Sequence, residues 1–204
     1  MKRQQAFIDK EKSFQKGGLH CHSTRSDGVG SPEEVMKFAH EHGFDFLALT
    51  DHQIYNHTNY APETGILLVP GTEHSNILVY SHGFRCFHTV CVGPSLEDGN
   101  GFANDEKLPG TNFPTSEDYQ PWLDEVHGKK NLTILCHPQW SNTSAKYFEN
   151  QKGNFAMEIW NTGCAYEDDM DTNAAYWDEI LGQGIRIYGV ATDDGHPMYQ
   201  HCKG

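Results

Sequence analysis

The segment from Ser31 to His52 constrains the architecture more tightly than any other stretch of the chain. Phe44 to Leu49, FDFLAL, is a short apolar run of the kind covered on both faces in parallel sheets. Ahead of it, Ser31-Pro32-Glu33-Glu34 reads as a helix start. Ser31 is the N-cap, Pro32 takes the first helical position and Glu34 closes a capping box. Val35, Phe38 and Ala39 give that helix its apolar stripe, and Gly43 ends it. A strand over Leu19 to His22 precedes it, so the chain opens with a strand–helix–strand unit and belongs to the α/β class. Both strands exit into polar residues, the first through the stretch GLHCHSTRSD (Gly18–Asp27) and the second at Thr50-Asp51-His52.

The alternation continues less regularly. Strands are expected at Ile66 to Val69 (exiting at Gly71-Thr72-Glu73), Ile77 to Tyr80 and Phe87 to Val92, the last carrying His88. A helix over Ser116 to His127, with Ser116 as N-cap, leads to a strand over Leu132 to Cys136 ending at His137-Pro138. Phe155 to Trp160 is a further strand, ending at Asn161. Met170, Ala174, Trp177 and Leu181 make a helical stripe, and Arg186 to Val190 a last strand ending at Thr192-Asp193-Asp194-Gly195-His196. Residues 93–115 form a long loop, and such loops in compact domains tend to carry function. At 204 residues the chain is one domain by size: a polar arm over 1–16 and a single domain over 17–204.

The formal charge of −13 argues against a large nucleic-acid footprint, which is built from clustered Lys and Arg. Bound divalent cations would offset part of that charge and let an acidic chain hold an anionic substrate. The N-terminal residues contain no apolar core of a secretory signal, and no run reaches membrane-spanning length. Six cysteines without CxxC pairing read as reduced thiols in a cytoplasmic protein, not as a zinc–thiolate site.

One histidine at a strand end is ordinarily an incidental turn residue. Here the pattern recurs at five or six strand exits: His20 and His22 (two apart, hence on one face), His52, Glu73, His137, and the pair Asp194 and His196. Active sites of parallel α/β folds lie at the carboxyl ends of their strands, and imidazole with carboxylate suits Zn, Mn or Fe.

The runs HCHSTRSDG, TDH (Thr50–His52), GTE (Gly71–Glu73), CHP (Cys136–Pro138) and DGH (Asp194–His196) together resemble the PHP (polymerase and histidinol phosphatase) family over residues 18–196. The resemblance implies a distorted (β/α)7 barrel with two or three divalent ions. It assigns His20, His22, Glu73 and Asp194 to a first ion, Glu73 (bridging), His88 and His137 to a second, and Asp27, His52 and His196 to a third. His74 and His82 rival His88, and Asp193 rivals Asp194. Because the chain runs only eight residues past His196, the barrel is expected to close with few further elements or to lack its last ones.

Two ions about 3.5–4 Å apart can share a hydroxide and clamp a phosphate, so the expected activity is hydrolysis of phosphate esters. The expected substrate is small and phosphorylated: a nucleotide, a sugar phosphate or a histidinol-phosphate-like molecule. Glu73, Asp194 and Arg25 are the catalytic candidates, and Arg25 suits phosphate through its planar fork. Arg25, Trp140 and Asn161 are the substrate-binding candidates, with Arg85, Lys146, Trp160, Tyr55 and Tyr60 weaker. His40 and His42 fit a helix C-terminus, and His57, His127 and His201 the surface. Alternatives are an exonuclease-type phosphodiesterase acting on short oligonucleotides, a non-catalytic metal-binding module and a C–N hydrolase.

Overall fold

The structure, a computed structural model, describes residues 13–81, 83–94, 101–110, 113, 115–170 and 173–196. Residues 1–12 of the expected arm, His82, His201, Cys202 and the side chain of Arg85 lie outside them.

The first strand–helix–strand unit forms, but its first strand lies over Gly17–Gly18 and not over the expected Leu19 to His22, of which Cys21 makes an isolated bridge. Strands β1 (Gly17–Gly18), β2 (Phe46–Ala48) and β3 (Leu67–Val69) make a three-stranded parallel sheet, with helix α1 (Pro32–Glu41) between β1 and β2. Glu34 N donates to Ser31 Oγ at 3.2 Å, and Ser31 N donates to the Glu34 carboxylate at 2.8 Å. At the other end His42 is the C-cap and Gly43 takes a φ of 76°, a left-handed value that glycine adopts without penalty. The apolar stripe, Val35, Met36 and Ala39, packs on Phe44, Leu47, Leu49, Ile66 and Leu68.

The second sheet departs from the expectation. Strand β4 (Gly71–Tyr80) and β5 (Gly83–Val92) are one long antiparallel hairpin. Strand β6 (Leu132–Leu135) pairs antiparallel with β5, and β7 (Ala156–Asn161) and β8 (Tyr188–Thr192) continue in parallel. Glu73 is therefore the third residue of β4 rather than the exit of β3. Pro70, which has no N–H, separates the two strands, and the polar run Gly71–Asn76 hides the second from an apolar-pattern reading. Helix α2 (Ser116–Gly128) is capped by Thr115, not Ser116: Asp118 N donates to Thr115 Oγ1 and Thr115 N to the Asp118 carboxylate. The short helices α3 (Ala145–Phe148) and α4 (Thr162–Glu167) precede α5 (Asn173–Gly182), which begins after Met170.

The result is a mixed α/β fold whose two sheets are open, so their ladders do not complete a barrel. Isolated parallel bridges, Cys21 with Gly195 and His52 with Glu73, link the strand ends of the two sheets. Ala48 of β2 packs with Val90, Val92, Ile134 and Ala156 in one buried cluster, so both sheets share a core. Part of the long loop lies across the top: Tyr55 N donates to Glu106 O, and Phe102 is buried against Tyr55.

Backbone closeness, not a turn angle, explains Gly28. A Cβ there would lie 2.6 Å from the His22 carbonyl carbon and oxygen and 2.7 Å from Ser23 N. Gly28→Ala is expected to cost about 1–3 kcal/mol in a denaturant titration, as overpacking does. Gly128→Ala, at a helical position with nothing within 4 Å, is expected to be neutral or stabilising by up to about 1 kcal/mol.

Candidate metal centre

The expected ligands converge because strand ends and one strand face meet. Past β1 the chain is tied to the segment after β8 by the Cys21–Gly195 bridge, with His22 N donating to Gly195 O at 3.0 Å. His20 and His22 therefore share a side. In the β4–β5 hairpin Ser75 stands opposite His88 and Glu73 opposite Val90, so Glu73, Ser75 and His88 occupy one face and His74 the other. His52 arrives through its bridge to Glu73, His137 follows β6, and Asp194 and His196 follow β8.

Four donor atoms form the core of the site: His20 Nε2, His22 Nε2, Glu73 Oε2 and Asp194 Oδ1. The two imidazole nitrogens are 3.2 Å apart. His20 Nε2 lies 3.2 Å from Glu73 Oε2 and 3.1 Å from Asp194 Oδ1, and His22 Nε2 lies 3.1 and 3.2 Å from the same atoms. With metal–ligand bonds of about 2.0–2.2 Å, adjacent atoms of a tetrahedral site stand roughly 3.3–3.5 Å apart. All five of these distances fall within a few tenths of an ångström of that. Glu73 Oε2 and Asp194 Oδ1 are also buried without a hydrogen-bond partner, as is His88 Nδ1. Buried polar atoms are normally partnered, so this donor set fits a divalent cation.

Two further groups adjoin it. Glu73 Oε1 lies 2.9 Å from His88 Nδ1 and 3.3 Å from His137 Nε2. Asp27 lies 3.3 Å from His52 Nε2, 3.4 Å from His196 Nε2 and 3.6 Å from His22 Nδ1. His52 links the two, its Nδ1 standing 3.1 Å from Glu73 Oε2. All nine residues expected to bind metal are thus brought together.

Electrostatics match the packing. Burial raises the Glu73 carboxyl, but His20 and His88 outweigh it and hold the group well below its ordinary range. Asp194 is likewise held low against burial, chiefly by His20 and His22, and Asp27 by His196 and His52. Burial opposes charge on His22 and His88, yet the neighbouring carboxylates push them up to about 9 and about 10.

Of the rivals, His82 lies outside the described residues and His74 turns away from the site. His74 is a core aromatic, stacked on Trp122 with centroids 3.9 Å apart, and burial lowers it to about 4. Two of the substrate-binding candidates are engaged with other side chains. Arg25 does not line the cavity: its guanidinium donates to Asn56 Oδ1, to Tyr60 Oη at 2.6 Å and to Asp105. Asn161 is buried, capping α4 by accepting from Cys164 N and donating to Glu158 and Asp194. Trp140 does line the cavity, with its ring 4.9 Å from that of His137.

Two buried carboxylates were missed by sequence reasoning. Asp51 accepts from Ser23 N and Oγ and from Asn56 Nδ2, holding the first loop onto β2's exit. Glu158 accepts from His20 Nδ1 at 2.7 Å. A lone glutamate inside the apolar strand AMEIWN was the available signal for it.

Above these groups is a cavity of about 290 Å³, walled by Asp27, His52, Glu73, His88, His137, Asp194 and His196 with Trp140, Glu167 and Asp168; no Lys or Arg lines it among the described residues. Such a site can polarise an ester and present a water to it only with cations in place.

Comparison with known proteins agrees with this geometry. A 5'-3' exoribonuclease of Haemophilus influenzae is 48% identical over 61 residues, a match covering 28% of this chain and 22% of the relative. The structure of an amidohydrolase from Chromobacterium violaceum superposes with a TM-score of 0.58 at 18% identity, over 93% of this chain and 90% of that one. A two-domain protein from Bacteroides vulgatus, described as containing a PHP-like metal-dependent phosphoesterase, gives 0.58 at 16% identity, over 90% of this chain and 52% of that one. A chain from Bifidobacterium adolescentis described as a metal-dependent phosphoesterase gives 0.57 at 16%, over 91% and 89%. At such identities these structures speak for the fold. The PHP domain model matches residues 18–161, most of the chain and all but the last of the ligand-bearing segments, and the chain belongs to the PHP domain family.

Proposed function

We propose that this chain is a metal-dependent hydrolase of phosphate esters acting on a small phosphorylated substrate. The observation that carries the reading is the convergence of buried imidazole and carboxylate donor atoms, within coordination distance of one another, beneath one cavity. His20, His22, Glu73 and Asp194 would hold a first divalent ion, Glu73 with His88 and His137 a second, and Asp27, His52 and His196 a third. Zn, Mn and Fe all suit this donor set. When bound, such ions would supply charge neutralisation for the phosphoryl oxygens and lower the pKa of the attacking water.

The chain's own residues do the rest. Glu73, with one oxygen toward each of two ligand groups, sets their spacing and is the residue on which the site turns. Asp194 completes the first group. Trp140 offers a flat apolar wall for the leaving group, and Arg25 supports the first loop instead of gripping phosphate. With no Lys or Arg among the described residues that line the cavity, the negative charge of a substrate would be met there by the ions. We further propose that residues 17–204 act as a single domain, with the two sheets as arcs of a distorted barrel around their shared core. The free state of Cys21, Cys86, Cys91, Cys136 and Cys164 fits a reducing cytoplasm, and no described helix is long and apolar enough to cross a membrane.

An exonuclease-type phosphodiesterase is the second reading, favoured by the short stretch shared with the Haemophilus exoribonuclease. A panel of phosphomonoesters, phosphodiesters and 5'-phosphorylated oligonucleotides, assayed with added Mn or Zn, separates the two. Turnover of monoesters with oligonucleotides inert is the expected result; the reverse establishes the second reading, and no turnover of any ester removes both.

Elemental analysis of protein purified without chelator should give two or three ions per chain. In His20→Ala that number falls, and ester turnover drops at least about 100-fold.

Uptake of those ions should release protons. At pH 7 His22 and His88 are protonated in the ion-free site, since their values lie at about 9 and about 10, and a ligating nitrogen must lose that proton. Affinity therefore rises with pH up to about 9–10. Calorimetric titration in two buffers of different ionisation enthalpy should show about two protons released on filling the site.

A further inference from the structure

We propose that Glu158 is a positioning residue that sets the ring orientation of His20 and the backbone of His137 together, so that two candidate metal positions depend on one buried carboxylate. The proposal rests on the metal-centre reading above and adds to it a residue that offers no atom to the ligand groups.

Each oxygen of Glu158 takes two donors. Oε1 accepts from His20 Nδ1 at 2.7 Å and from Thr192 Oγ1 at 2.6 Å. Oε2 accepts from His137 N and from Asn161 Nδ2, both at 2.8 Å. The side chain is fully buried. Four donors around one carboxylate leave no room for a proton on it, so it stands as an acceptor only.

Two consequences follow. Donation from His20 Nδ1 commits the other nitrogen, Nε2, to the tetrahedral group, where it meets His22, Glu73 and Asp194 at 3.1–3.2 Å. Partners of this kind fix the tautomer of a ligating histidine and raise its basicity. His137, meanwhile, has a φ of 24°, sparsely populated for a residue with a side chain. Its N–H held by Glu158 is what secures that backbone, and with it the approach of Nε2 to Glu73 Oε1. Asn161 extends the network to Asp194 Oδ2 at 3.1 Å. The group of Asp27, His52 and His196 has no hydrogen bond to Glu158, so it serves as an internal control.

Glutamine cannot replace this group. It presents one oxygen and one NH2, leaving two of the four donors facing a donor. Glu158→Gln is expected to lose about 10–100-fold in Zn affinity at two positions while one ion stays at unmodified strength. Chelator-competition titration and elemental analysis read this without any assay of turnover. Glu158→Asp, which keeps the charge but is too short to span both His20 and His137, should show the same selective loss.

A measurement on the unmodified, Zn-loaded protein avoids any question of folding. Long-range ¹H–¹⁵N spectra of selectively labelled histidine should show His20 protonated at Nδ1 and ligated through Nε2. Ligation through Nδ1, or folded Glu158→Gln and Glu158→Asp variants with full ion number and affinity, overturns the proposal and leaves the hydrolase reading standing. No ion taken up by the unmodified protein overturns both.

Discussion

The structure depends on a carboxylate buried where carboxylates are costly. Taking an ionised group such as Glu73 out of water carries an effective penalty of several kcal/mol, and the penalty is offset only by close, well-placed opposite charge. Glu73 has that on both oxygens, with His20, His22 and His52 around one and His88 and His137 around the other. Those partners come from β5 and from the segments that follow β1, β2 and β6, far apart in sequence. The residue that would be hardest to bury alone is the one that all the strand ends turn toward.

The apolar core and this polar centre divide the interior. Ala48, Val90, Val92, Ile134 and Ala156 fill the space between the sheets, and the ligand-bearing segments sit where the strands run out. The two isolated parallel bridges, Cys21 with Gly195 and His52 with Glu73, lie at that boundary and tie the strand ends together beyond the regular ladders. Around the centre, Asp51 and Glu158 perform the same task at different places: a buried carboxylate collects backbone and side-chain donors and holds a ligand-bearing segment still. Family membership and fold accord with a hydrolase.

Much of this was legible beforehand. The capping box at Ser31 and Glu34, the parallel β1–β2–β3 unit and the metal-competent residues at strand ends all follow from local chemistry: a cap, a stripe and an exit are properties of a few adjacent residues. The β4–β5 hairpin was not, because its first half is polar and buried by neighbours far away in sequence. Arg25 shows the limit in another way. Its position between ligands suggested phosphate binding, but Asn56, Tyr60 and Asp105 reach it first.

By itself the sequence determined the α/β class, the order of the ligand-bearing segments and which residue types could meet a cation, since these depend on spacing and side-chain chemistry. Tertiary structure alone decided which of the competing side chains face inward. Alternation across a paired strand turned Glu73 and His88 to the site and His74 to a stack with Trp122, and that alternation is set by the partner strand. It also decided that Glu158, an anomaly in an apolar strand, sits behind His20: donors arriving from β1, β6 and β8 reach it only once the sheets have closed around the shared core.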